Sequence, residues 1–234
     1  MKIKNILTLF LLLGILCSCD YRNDDYSESI EIEGVKRVKL SGMFNVNISQ
    51  YDQESLEIVG NEDLVKRLKV KQSGDLLELT LDGKTEGGFF NKKGIRIDLI
   101  IADLKELEFE GAGNIKTEHS LTLEDLRIIG NGVGNINLEI EAETVDSKLN
   151  FVGNMELRGE THEFYLINEG IGNIDASKFI AQKVDLISSG IGSVSVHCED
   201  EISLEVNGIG TVNYTGNPTV ISEKVSGIGK VNRK

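Results

Sequence analysis

The side chains best suited to catalysis or metal binding are few and scattered. The 234-residue chain has three histidines, His119, His162 and His197. No two of them stand at a metal-ligand spacing. His197 and Cys198 are adjacent, but neighbours on an extended strand project to opposite faces, so they cannot pair as base and nucleophile. Cys198 falls on an apolar alternation and reads as a small buried hydrophobe. Carboxylates are plentiful, with 38 Asp and Glu. A convergent pair of them could cleave a glycosidic bond if one were held as acid and the other as base. Asp175 and Asp185 are candidates for this only by default, and the chain has no Trp and five Tyr to stack against sugar rings. It contains no Gly-x-Ser-x-Gly, phosphate-binding loop or dinucleotide fingerprint. The sequence therefore points to no catalytic residue, no metal ligands and no cofactor, and the chain is read as a non-enzyme.

The elements that carry these residues are set by a repeat. Gly-x-Gly, a polar residue and then Ile or Val recur as Gly111-Ala112-Gly113-Asn114-Ile115, Gly132-Val133-Gly134-Asn135-Ile136 and Gly170-Ile171-Gly172-Asn173-Ile174. Further copies are Gly190-Ile191-Gly192-Ser193-Val194, Gly208-Ile209-Gly210-Thr211-Val212 and Gly227-Ile228-Gly229-Lys230-Val231, with a degenerate one at Phe151-Val152-Gly153-Asn154-Met155. These seven copies are spaced 21, 19, 19, 20, 18 and 19 residues apart. Between them apolar residues fall at every second place, as in Ile202-Ser203-Leu204-Glu205-Val206, which is the period of a half-buried strand. Units this short leave no room for crossover helices. Each unit is thus one coil of an all-β parallel β-solenoid of about seven coils of 18–21 residues, stacked at roughly 4.8 Å per coil.

Stacking turns the repeat into columns. The residues between the two glycines form one apolar column, and Ile115, Ile136, Met155, Ile174, Val194, Val212 and Val231 form another. The second glycine stands in every copy: Gly113, Gly134, Gly153, Gly172, Gly192, Gly210 and Gly229. A backbone bend with positive φ, or close approach between coils, requires glycine there. Asn114, Asn135, Asn154 and Asn173 form a polar column expected to be a structural amide ladder at a corner. Glu106, Arg127 and Asp146 alternate in sign one coil apart, which avoids like-charge stacking.

Residues 30–110 are also β-rich, with weaker repetition, and are expected to pack on the solenoid of residues 111–234 or continue it. Asn61 to Leu68 is expected to hold a helical turn. Lys84 to Gly94 reads as a loop whose Phe89-Phe90 pair is a candidate exposed apolar patch, with packing against the sheet the favoured expectation.

The first residues read as an address. Lys2 and Lys4 precede an apolar run, Ile6 to Leu16, too short to span a bilayer but suited to a signal-peptide core. Leu16-Cys17-Ser18-Cys19 resembles a bacterial lipobox. That resemblance implies a signal peptide over 1–18, cleavage before Cys19, acylation of Cys19 and a membrane partner through its acyl chains. Residues 19–29 are expected to be an acidic tether, and an acidic stretch after a lipidated cysteine resembles the surface-export signal of Bacteroides-like lipoproteins. Outer-membrane anchoring is the expectation, with the cell surface as one of its faces. Once the leader is removed, no internal disulfide can form around Cys198. The net charge of −13 repels phosphate backbones and argues against nucleic acid as a partner.

Val38-Lys39-Leu40-Ser41-Gly42-Met43-Phe44-Asn45-Val46-Asn47-Ile48, Leu56-Glu57-Ile58-Val59-Gly60-Asn61-Glu62, Ser73-Gly74-Asp75-Leu76-Leu77-Glu78-Leu79 and the Gly-x-Gly-Asn-Ile repeats together resemble the head GIN domain family of putative auto-transporter adhesins, common in Bacteroides-like bacteria. The resemblance covers roughly 30–234. It implies a right-handed β-helix-like fold and an adhesin label, and brings no catalytic residues. Three functions stay open at this point: an adhesin or binding module for a glycan or a host or envelope protein, a structural envelope protein, and a carbohydrate-active enzyme.

Overall fold

A computed structural model describes residues 26–81 and 94–234. The leader, Cys19, residues 20–25 of the acidic stretch, and Phe89 and Phe90 lie outside the described residues. The chain is 80% strand and winds a β-solenoid of about 6 turns.

The strands are β1 (Tyr26–Ile30), β2 (Arg37–Gln50), β3 (Ser55–Gly60), β4 (Leu68–Ser73), β5 (Leu76–Leu81), β6 (Ile95–Ile101), β7 (Glu106–Thr117), β8 (Leu121–Asn168), β9 (Ile171–Ser188), β10 (Ile191–Val206), β11 (Ile209–Thr215), β12 (Thr219–Val225) and β13 (Ile228–Arg233). All thirteen belong to one sheet. From β7 onward every pairing is parallel, and the glycine motifs stack in register. Gly111 lies beside Gly132, Gly153 beside Gly172, Gly172 beside Gly192, Gly192 beside Gly210, and Gly210 beside Gly229.

The solenoid begins earlier than the repeat suggests. Strand β2 pairs parallel with β7 over twelve residues, placing Gly42 against Gly111, Phe44 against Gly113 and Asn45 against Asn114. Gly42-Met43-Phe44-Asn45-Val46 is therefore one more coil corner, with Phe44 where the second glycine stands elsewhere. Strands β5 and β6 stack parallel on the other edge of β2. Strands β3 and β4 then turn antiparallel, as does β1. Residues 26–29, expected within the flexible tether, are the first four of β1 and are tied to β3. The boundary expected at residue 110 falls inside β7, so the two parts share one continuous sheet. The one helical turn among the described residues, α1 (Glu62–Val65), is capped by the Asn61 side chain, which accepts from the backbone N–H groups of Asp63 and Leu64 at 3.1 and 3.4 Å.

One core runs the length of the coils. The inward column Val46, Ile115, Ile136, Met155, Ile174, Val194 and Val212 is at most 6% exposed. Larger rings fill the wider levels in edge-to-face pairs, Phe109 with Phe151 at 5.7 Å and Phe164 with Phe179 at 5.3 Å between centroids. Phe151, which breaks the glycine pattern, thus turns inward, while Gly153 keeps the corner geometry at φ +146°. Among the described residues the sheet and core run from Tyr26 to Arg233 as one packed unit.

Candidate functional site: an outward aliphatic ladder

The corner is built by the second glycine. Gly134 has φ +150°, and a Cβ there would lie 1.7 Å from the carbonyl oxygen of Gly113 in the preceding coil. Gly192 repeats both features, with φ +138° and 1.8 Å to Gly172 O. Backbone conformation and close stacking each require glycine, and the two requirements coincide. In the last copy a Cβ at Gly229 would instead meet the Val206 side chain, at 2.7 Å.

This corner sets what faces out. Residues two before the central position, at it and two after it share the outer face, as the alternation of a strand dictates. The central position therefore carries Val133, Val152, Ile171, Ile191, Ile209 and Ile228 on the surface, each between 44 and 81% exposed. The six lie in register, one per coil, and make a straight aliphatic ladder at roughly the 4.8 Å sheet spacing. Ala112 and Met43 continue it in a half-exposed form.

One side of the ladder is flanked by the asparagines. Asn114 donates its side-chain amide to Asn45 Oδ1 at 2.7 Å, Asn135 to Asn114 at 2.9 Å, Asn154 to Asn135 at 3.2 Å, and Asn173 to Asn154 at 3.3 Å. Ser193 and Thr211 succeed them. The other flank carries Asn131, Asn150, Glu169, Ser189 and Asn207. Across the three columns of the five coils from Val133 to Ile209, fifteen outward positions hold one charge, Glu169, in a chain that is 27% charged. Exposed, apolar at the centre and depleted of charge, this band has the composition of an interface core rather than of a solvated face.

The residues singled out for chemistry do not converge. His119 and His162 are exposed. His197 is held between Thr215 Oγ1 at 2.9 Å and Glu199 Oε1 at 2.7 Å. Cys198 is fully buried, its Sγ 3.0 Å from Glu201 O, and burial pushes its thiol pKa up. Asp175 accepts from Ser177 Oγ at 2.6 Å and Ser177 N at 3.0 Å, and these bonds hold its carboxyl below the ordinary range. A carboxyl stabilised as the anion is poorly suited to act as a general acid. Asp185 lies between Tyr165 and Ser203 of the adjoining coils, away from Ser177 and its partner. Tyr165 donates to Glu163 Oε2 at 2.6 Å, a bond that raises the phenol pKa. Among the described residues no group of three or more His, Cys, Asp or Glu is placed to hold a metal ion. No helix among them is long and apolar enough to cross a membrane. Arg127 and Asp146 stand 3.9 Å apart, and Glu106 pairs in register with Arg127.

Residues 35–218 match the family model described as "Putative auto-transporter adhesin, head GIN domain". The chain belongs to the head GIN domain family. Membership in this adhesin-like family implies an exported or cell-surface protein. The fold of this head GIN domain resembles that of a putative adhesin from Bacteroides fragilis with a TM-score of 0.85 at 24% identity, over 91% of this chain and 98% of that one. A putative lipid binding protein from Parabacteroides distasonis matches with a TM-score of 0.66 at 19% identity, over 91% and 98%. A putative adhesin from Parabacteroides merdae matches with 0.63 at 19%, over 91% and 97%. At these identities the likeness is one of fold. No curated protein matches the chain.

The exposed ladder is the feature that sequence reading missed. The apolar column was visible, but its direction was not, because a glycine on each side removes the side chains that would reveal which face is buried. The signal available was the alternation itself: Asn, two residues on, is a surface residue, and the central position shares its face.

Proposed function

We propose that this head GIN domain is the folded part of a lipid-anchored outer-membrane protein, and that it works as a non-catalytic adhesin or binding module whose contact surface is the outward ladder. The observation that carries the reading is the exposure of Val133, Val152, Ile171, Ile191, Ile209 and Ile228 in one straight row, inside a nearly charge-free band. Fully exposing an aliphatic side chain forgoes about 1.5–3 kcal/mol of burial. Six in register make a surface suited to being covered, whereas the exposed Tyr165 and Ile180 stand in register with Asp185 and Glu160 and form no such row. The apolar leader and Leu16-Cys17-Ser18-Cys19 support the anchor, with acylated Cys19 as its attachment point. The family's adhesin-like character supports the binding role. A catalytic reading draws no support from Asp175, which is committed to Ser177. Asp185 lines a surface pocket with Glu163 and Glu201, but Glu163 is already engaged by the Tyr165 hydroxyl and the Lys183 ammonium.

The test is binding by intact cells to an array of glycans, extracellular-matrix proteins and a layer of the same cells, with the gene present and deleted. Binding to at least one surface that disappears on deletion is expected. An unchanged profile, together with co-purification of one envelope protein, would replace this reading with a structural role in the envelope.

A further inference from the structure

We infer that the ladder's partner is a second copy of this chain, so that two rods pack face to face along their aliphatic rows. The inference deepens the binding role proposed above and rests on the ladder being its contact surface.

Three observations select this occupant. The first is period. The rungs recur once per coil, at roughly the 4.8 Å spacing of stacked strands. A second parallel β-solenoid presents knobs at the same interval, so the rows interlock at every rung rather than at one. The second is charge. The chain carries −13 overall, and two such rods repel one another across most of their surface. The band as a whole carries a single charge, Glu169, across its five inner coils, so like-charged copies can approach there. A partner recognised by opposite charge would find almost nothing in the band to pair with. The third is area. Six rungs and their flanking columns cover on the order of 500 Å² per copy at sheet spacings, hence about 1,000 Å² in total. That is the lower bound of a specific interface, and it suits a reversible contact between molecules held at high local concentration rather than an obligate dimer.

Analytical ultracentrifugation of residues 26–234 tests the inference. The wild type is expected to pass from monomer towards dimer between about 10 and 500 µM, as befits an interface of this size. Because association brings like charges together, raising salt from about 0.05 to 0.5 M is expected to strengthen it. Ile171→Thr with Ile191→Thr keeps β-branched residues and removes apolar surface. This pair is expected to weaken dimerisation at least about tenfold while leaving Tm within a few degrees. Ile171→Glu with Ile191→Glu is expected to abolish it. A wild type that stays monomeric at about 500 µM, or a dimer indifferent to the Thr pair, overturns the inference. A monomer whose ladder instead binds a neutral glycan or phosphatidylcholine vesicles, with loss in the Thr pair, overturns the homotypic contact while leaving the binding role standing. Cell binding by the Thr pair equal to wild type would remove that role as well.

Discussion

Asn135 donates its side-chain amide to Asn114 across one coil at 2.9 Å, although the two are 21 residues apart in sequence. The same amide group accepts from Asn154 at 3.2 Å. Each inner rung is thus both donor and acceptor, and five asparagines from Asn45 to Asn173 form a continuous chain of amides beside the aliphatic rungs. The ladder holds corners in register, and register keeps the rungs in line.

An inner rung should therefore cost more than the last one. Asn135→Ala removes two amide bonds and Asn173→Ala removes one. Partly exposed neutral bonds are worth about 0.5–1 kcal/mol each. Chemical denaturation is expected to show Asn135→Ala destabilised roughly twice as much as Asn173→Ala, and equal losses would mean that the ladder bonds do not hold the corner.

The corner glycines from Gly113 to Gly210 are expected to tolerate nothing larger. In Gly134→Ala the new methyl would sit 1.7 Å from Gly113 O, at a φ of +150°. The backbone must open between coils, at a cost of about 3 kcal/mol or more. Gly192→Val is expected to be worse, because a β-branched residue resists positive φ. Gly229→Ala crowds a Val206 methyl group but keeps ordinary contact, at 3.4 Å, with Gly210 O, and is expected to stay within about 1.5 kcal/mol of wild type. Melting temperatures for the three variants check this order.

Much of this architecture was legible because it is written at a fixed interval. The spacing of Gly-x-Gly motifs, the strand alternation and the inward column from Ile115 to Val231 all follow from repetition, and the coil stacking realises them. The corner at Gly42-Met43-Phe44-Asn45-Val46 was hidden for two reasons. Phe44 replaces the second glycine, and Gly111 lies 69 positions after Gly42 with β3 to β6 between them, so no periodic spacing points to it. Strand β1 was hidden because Glu28 interrupts its apolar face of Tyr26 and Ile30, and its order comes from pairing with β3. The candidate site was half legible. Its columns could be listed from the sequence, but exposure depends on which way a glycine corner turns.

Cys198 should be inert while the protein is folded. Burial raises its thiol pKa and encloses its sulfur, so the thiolate that reacts is scarce. A thiol-disulfide reagent at pH 8 is expected to modify it only as fast as the domain unfolds. Rapid modification of the native protein would mean that the coil around it opens freely.

Asp175 gives a small acid dependence with a defined sign. Its folded carboxyl titrates below the ordinary value because Ser177 bonds to the anion. The stability this confers is present above the unfolded pKa of about 3.9 and is lost as pH falls through the folded value. Ser177→Ala is expected to melt lower than wild type at pH 7, with the gap closing as the pH drops through the acid range. A constant gap at every pH would place the effect elsewhere.

The anchor is tested apart from the fold. Cys19→Ala is expected to move the protein from the membrane fraction to the soluble one, and continued sedimentation with membranes in high salt would contradict acylation at that residue.

The ladder as contact surface is tested most directly by cell adhesion under flow, comparing wild type with Ile171→Thr and Ile191→Thr combined at matched surface display and matched Tm. On the surface that wild-type cells bind, the account predicts at least about a tenfold loss of retained cells, the scale expected when central interface side chains are truncated. Retention equal to wild type would contradict it.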